Sequence, residues 1–106
     1  NAAGKVVAIG TASTITIDMS TANNFELTLD GNYTIGNPTN IVKGQSGFIA
    51  LTQDGTGSRT VGWGTHWDFP AATAPTLSTA AGSVDIVAYY ARTTTSIAAD
   101  AILGIG

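Results

Sequence analysis

The sequence contains no cysteine, which excludes disulfides and thiolate metal sites. It also contains little charge. Lys plus Arg number four and Asp plus Glu seven, together 10% of the chain, against about 25% in an average soluble protein. The four cations, Lys5, Lys43, Arg59 and Arg92, are scattered, so no basic patch awaits a nucleic-acid backbone. No apolar run approaches the roughly 18 residues of a membrane span, so no membrane insertion is expected. The chain opens on Asn1 without a methionine, a basic n-region or an apolar h-region. No signal peptide is visible, and the opening is expected to be that of a piece of a longer chain, or of a processed one.

What is present points to strands. A chain of 106 residues has the length of one domain, and residues 1–106 are read as one, with 1–12 as a linker or a first strand. Seventeen threonines supply much of the neutral polar surface, and threonine is β-branched and suits strands. Hydrophobic residues make up 43%. A β-protein with so weakly charged an exterior is poorly protected against association, which is expected if other subunits cover much of it.

Period-two alternation dominates. Ile15, Ile17 and Met19 share one face of residues 14–19, and Phe25, Leu27 and Leu29 one face of residues 25–29. Asp30-Gly31 is a tight-turn signal, and Tyr33-Thr34-Ile35 reads as the return strand, ended by Asn37-Pro38-Thr39-Asn40. Residues 48–53 form another strand. Asp54-Gly55-Thr56-Gly57-Ser58 reads as a hairpin turn with Asp54 capping its N–H groups, and residues 59–63 as the outgoing strand. Residues 64–83 read as an ordered loop, and residues 84–91 and 96–103 as two final strands joined across Arg92-Thr93-Thr94-Thr95. About seven or eight strands with turn signals every 8–12 residues predict an all-β, antiparallel sandwich of jelly-roll type. Its core is expected from Ile15, Ile17, Leu27, Leu29, Phe48, Ile49, Leu51, Val84, Ile86 and Val87. Ile49 and Val87 are the alternatives for a face toward a neighbouring subunit, because adjacent strand residues point to opposite sides. No internal repeat is evident.

Candidate chemistry is sparse. His66 is the only histidine, and with Asp68 beside it and no cysteine it makes a poor metal set. It reads first as a loop histidine in a packed corner. Gly44-Gln45-Ser46-Gly47 has the wrong spacing for a nucleophile elbow. The glycine run at 54–58 fits neither phosphate-loop pattern. No catalytic residue, metal or cofactor is expected. Asn32-Tyr33-Thr34 matches a glycosylation sequon without a secretory setting to support it. Trp63, Trp67 and Phe69 fall within seven residues, beside His66 and Asp68. Aromatic faces can stack on sugar rings, but large rings more often fill cores or subunit seams. If a glycan site exists, it is Trp63, His66, Trp67 and Asp68.

The string Leu51-Thr52-Gln53-Asp54-Gly55-Thr56-Gly57-Ser58-Arg59-Thr60, followed by Trp63-Gly64, Trp67-Asp68-Phe69-Pro70, Thr73-Ala74-Pro75-Thr76-Leu77-Ser78-Thr79-Ala80-Ala81 and Val84-Asp85, resembles a domain of tailed bacteriophages. That domain occurs in tail fibres and in other virion fibre or decoration-type proteins, often near the C-terminus. The resemblance covers about residues 14–104. It implies a trimeric β-sandwich module on a longer virion protein, at the particle surface, with fibre shaft, capsid or tail proteins as partners. The resemblance does not say whether this copy binds a receptor; loops presented in several copies make a host cell-surface glycan a further expected partner. It carries over no catalytic residue. Production in the reducing cytoplasm of a bacterial host agrees with the missing cysteine. The rival expectation is a free-standing carbohydrate-binding module of a bacterial adhesin or enzyme, which would be a monomer. A weaker third is a hydrolytic fibre domain using Asp68 or Asp85 at a subunit seam.

Overall fold

In a computed structural model, which describes residues 6–9 and 12–106, the chain winds between two sheets. Strand β1 (Val6–Ala8) lies in the first sheet and β2 (Thr14–Ile15) in the second. The path then repeats: β3 (Asn24–Leu29) returns to the first sheet, β4 (Tyr33–Ile35) to the second, β5 (Ser46–Gln53) to the first and β6 (Val61–Trp63) to the second. Each strand pairs in parallel with its counterpart one turn away. The result is a two-sheeted coil of three turns. Main-chain bonds continue the second sheet past its strands, with Thr39 N–H donating to Ile17 C=O and Met19 N–H to Thr39 C=O, both at 2.9 Å.

An antiparallel hairpin closes one side of the coil. Strand β7 (Trp67–Asp68) and a short 3₁₀ turn at Pro70–Ala72 precede β8 (Val84–Ala91) and β9 (Ile97–Ile102). The first sheet runs in the order β1-β3-β5-β8-β9-β7, and the second in the order β2-β4-β6. Strand β8 is antiparallel to both β5 and β9, and β7 pairs in parallel with β9.

The protein is therefore all-β, as its alternation predicts, but its sheets are mixed. The expected all-antiparallel jelly-roll pairing is corrected: five of the seven strand pairings among the described residues are parallel. Asp30-Gly31 turns the chain, yet β3 and β4 enter different sheets, so no hairpin forms there. The same holds for the 54–58 connection between β5 and β6. A turn signal reports a local reversal of direction; which strand is met after it depends on where apolar faces find partners. The predicted cap is present, since Asp54 Oδ1 accepts from Thr56 and Gly57 N–H at 3.0 Å each. The stretch read as loop 64–83 holds β7, and nine strands replace the expected seven or eight. Of the stretch 1–12, Val6–Ala8 forms a strand, and residues 1–5, 10 and 11 lie outside the described residues.

The core lies between the sheets. Ile15, Ile17 and Met19 are buried, as are Phe25, Leu27 and Leu29, on the faces that alternation assigns. Cross-strand register stacks Phe25, Ile49 and Val87 in one row. Full burial of such a side chain contributes about 1.5–3 kcal/mol. Three expected core residues are corrected. Phe48 is 51% exposed, and Val84 and Ile86 are half-buried, all on the outer face of the first sheet. Ile49 and Val87, the alternatives for a subunit face, are fully buried instead. Two polar side chains share the core. Gln53 bonds the main chain of Arg59 and Ser78, and Asp85 accepts from Ser78 N–H, Ser78 Oγ and Gly104 N–H at 2.7 Å each. These bonds satisfy groups that would otherwise be costly to bury.

Candidate functional site

The aromatic segment forms where the coil ends and the hairpin begins. Strand β6 delivers Trp63 to the second sheet, in register with Ile35 and through it with Ile15. Gly64 then passes close to the turn below. A Cβ there would fall 2.5 Å from Asn37 Oδ1 and 2.7 Å from Asn37 N, so the approach requires glycine. Asn37 Oδ1 accepts the His66 N–H at 2.8 Å and Asn37 Nδ2 donates to Thr65 Oγ1 at 3.1 Å, which locks the loop to the previous turn. Strand β7 then carries Trp67 and Asp68 to the first sheet, in register with Ile97 and Ala98 of β9.

The four candidate residues lie together but in unlike settings. Trp67 is 5% exposed, and its indole N–H donates to Gly36 C=O at 3.0 Å. Trp63 is half-buried and stacks edge-to-face on Trp67 at 5.2 Å and on Phe69 at 5.0 Å between ring centroids. Trp67 in turn meets Tyr89 edge-to-face at 6.2 Å. These are favourable aromatic geometries, each contributing about 0.5–1.5 kcal/mol beyond area burial. The rings are thus bound into the core more firmly than a free sugar platform would be. His66 is half-buried and Asp68 exposed. Two buried nitrogens, Trp63 Nε1 and His66 Nδ1, have no hydrogen-bond partner among the described residues.

A cavity of about 290 Å³ opens at this corner, lined by Trp63, Gly64, Trp67, Asp68, Phe69, Ala72 and Ala74. Sequence spacing alone did not show what accompanies Asp68. Ser96, 28 residues on, donates its hydroxyl to Asp68 Oδ2, and Arg92 Nη2 donates to Ser96 Oγ at 2.7 Å. The 92–96 turn and the 64–72 loop therefore form one corner. The 54–58 loop lies elsewhere, bonded to the 79–82 segment through Ser58 N–H on Thr79 C=O and Gly82 N–H on Asp54 C=O. Arg59 pairs with Asp54 at 3.1 Å, and the guanidinium, with the Gly57 and Thr56 N–H groups, holds the Asp54 carboxyl below the usual carboxylate range. Asp85, the other acid considered for catalysis, is buried and bonded by Ser78 and Gly104, away from Asp68. Among the described residues no group of three or more His, Cys, Asp or Glu could hold a metal ion.

Comparison with known families matches residues 10–94 to the family described as "Putative phage tail fibre C-terminal domain". No curated protein and no solved structure matches the chain.

Proposed function

The chain belongs to the phage tail fibre C-terminal domain family, and from that premise we propose that it is the C-terminal module of a longer virion fibre protein, displayed at the particle surface as a homotrimer and contacting a host-cell glycan. Membership gives the coarser part, a structural role in the phage virion. The family is a structural one, in keeping with the expectation of no enzymatic activity.

The observation that carries the adhesive part of the reading is the corner cavity of about 290 Å³. It combines the half-buried Trp63 ring with the exposed carboxylate of Asp68. A sugar offers a complementary set: an apolar ring face and hydroxyls that both donate and accept. Trp67 supports the corner from beneath rather than facing the sugar. Repetition in several copies would turn a weak single contact into useful avidity.

The test is binding of the protein to host cells and to a panel of surface polysaccharides. Asp68→Asn and Trp63→Phe are expected to weaken binding while circular dichroism stays unchanged. Trp67→Ala is expected to lose the fold. Undiminished binding in both of the first two variants would overturn the site. Glycan binding by a stable monomer would instead favour the free-standing binding module.

A further inference from the structure

The outer face of the six-stranded sheet is built unlike a solvated one. A half-buried antiparallel strand pair ordinarily alternates apolar-in with polar-out. Here the outward positions of the two central strands are Ser46, Phe48, Ala50 and Thr52 on β5 and Val84, Ile86, Ala88 and Tyr90 on β8. None of the eight is charged. Phe48 is 51% exposed and Tyr90 48%, and Val6 on the edge strand β1 and Ile102 on β9 are 54% exposed each. Charge flanks this central pair: Glu26 on β3 stands in register with Ala50 and Asp100 on β9 with Ala88, while Asp68 on β7 and Arg92 beyond the end of β8 lie further out. An apolar centre within a polar rim is the anatomy of a protein interface.

The surface is also shaped for contact. A concavity of about 500 Å³, bordered by Asp68, Pro70 and Asp100, has Ala88 and Ala98 among its lining residues. Cross-strand register sets Phe48 beside Ala88 and Tyr90 beside Ala98. The large rings thus stand next to the alanine-lined hollow on one face. Every copy presents the same ridge and the same hollow, so in a closed ring of three the ridge of one copy can enter the hollow of the next.

The area is adequate. Strands β3, β5, β8 and β9 have six, eight, eight and six residues. At about 3.3 Å per residue and 4.8 Å between strands they span on the order of 450 Å² of sheet plane. Side-chain relief adds accessible area, and β1, β7 and the Leu103–Ile105 tail extend the plane. The total is on the order of the 800 Å² per partner that a standard interface buries. The small net charge of −3 offers little repulsion between copies.

We infer that the outer face of the six-stranded sheet, centred on Phe48, Ala88 and Tyr90, is where copies of this chain pack on one another. The inference rests on the proposed self-association and names the surface that carries it. The test is the molar mass of the 106-residue protein by light scattering after size exclusion, over a dilution series, for the native chain, Phe48→Lys and Tyr90→Lys. The native chain is expected at a multiple of 10.7 kDa. Each lysine variant, placed at a side chain already half in water, is expected to keep its circular dichroism. Each should also raise the half-dissociation concentration at least about tenfold, because an apolar contact is replaced by a charge that must leave water. The missing native cysteine permits a second readout that needs no charge. Ala88→Cys is expected to cross-link copies under mild oxidation, and Ser20→Cys, in a turn away from this face, is not. A native oligomer unmoved by both lysines and not cross-linked through Ala88→Cys would overturn this face and leave self-association standing. A native chain that stays at one protomer mass throughout would overturn both.

Discussion

Tyr89 shows what burial does to a single side chain in this protein. Its ring packs against Trp67, its hydroxyl donates to Asn23 C=O at 2.5 Å, and desolvation pushes its pKa up to about 12, from the ordinary tyrosine value of 10.0. The folded state holds this proton more tightly than the unfolded state. The associated stability is therefore complete below pH 10 and is lost as pH rises toward 12. Denaturant titrations at stepped pH are expected to show that loss, and Tyr89→Phe to reduce its slope. Asp85 is a buried carboxyl held by three donors. Asp85→Ala would remove the acceptor of the Ser78 and Gly104 N–H groups and leave a hole where a buried side chain stood, and is expected to cost about 2–4 kcal/mol by chemical denaturation. Strain is also local. Ala71 and Ala72 both hold φ 55°, a left-handed conformation that costs an L-residue about 1–2 kcal/mol. Ala71→Gly removes that cost but adds chain entropy to the unfolded state. A net gain of about 0.5–1 kcal/mol, read as a raised melting temperature, is expected.

At the scale of elements, the connections hold the coil together as much as the strands do. Asp18 accepts from Ser20 N–H, Ser20 Oγ and Asn40 Nδ2, and so ties the first turn of the coil to the second. These bonds, the Ser20 hydroxyl first, lower its pKa, as Arg59 and the turn N–H groups lower that of Asp54. Both groups bind fewer protons folded than unfolded near pH 4. Their contribution is present above the unfolded carboxylate pKa and is lost as pH falls through the folded values. Thermal unfolding between pH 6 and pH 2 is expected to show declining stability, and the double variant Asp18→Asn, Asp54→Asn a shallower decline. Gly64 marks the closest approach between successive turns. Gly64→Ala would drive a methyl group into the Asn37 backbone. It is expected to destabilise by about 2–4 kcal/mol, measured by urea denaturation, and to loosen the Trp63 corner with it.

For the molecule as a whole, the coil sets both folding and display. Parallel partners lie 18 and 24 residues apart in the first sheet and 20 and 28 in the second. Each pairing closes a long loop before it gains a strand contact, which slows folding. Refolding by stopped-flow fluorescence is expected on the millisecond-to-second scale typical of non-local β-topologies. The finished coil sets the 64–72 and 92–96 segments at one corner and leaves one broad sheet face uncovered by the described residues. A fibre module has a use for both, a corner to present and a face on which copies can meet.

Alternation and composition by themselves determined that the protein is all-β and which residues of 14–19 and 25–29 point inward, because the period of side chains along a strand is a local property. They also determined the Asp54 cap and the β8–β9 hairpin, whose partners are near in sequence. Only the tertiary structure decided which strands pair. Unequal turns of the coil leave no sequence period to read, and Asp30-Gly31 or 54–58 can lead equally into a hairpin or across to a second sheet. It likewise decided which face of β5 and β8 is inward. Both faces of these strands are largely apolar, so the pattern there does not distinguish Phe48 from Ile49 or Ile86 from Val87. Trp67 went to the core and Trp63 to its margin for a similar reason: the indole of Trp67 finds the Gly36 carbonyl inside, a partner 31 residues distant that no spacing along the chain announces.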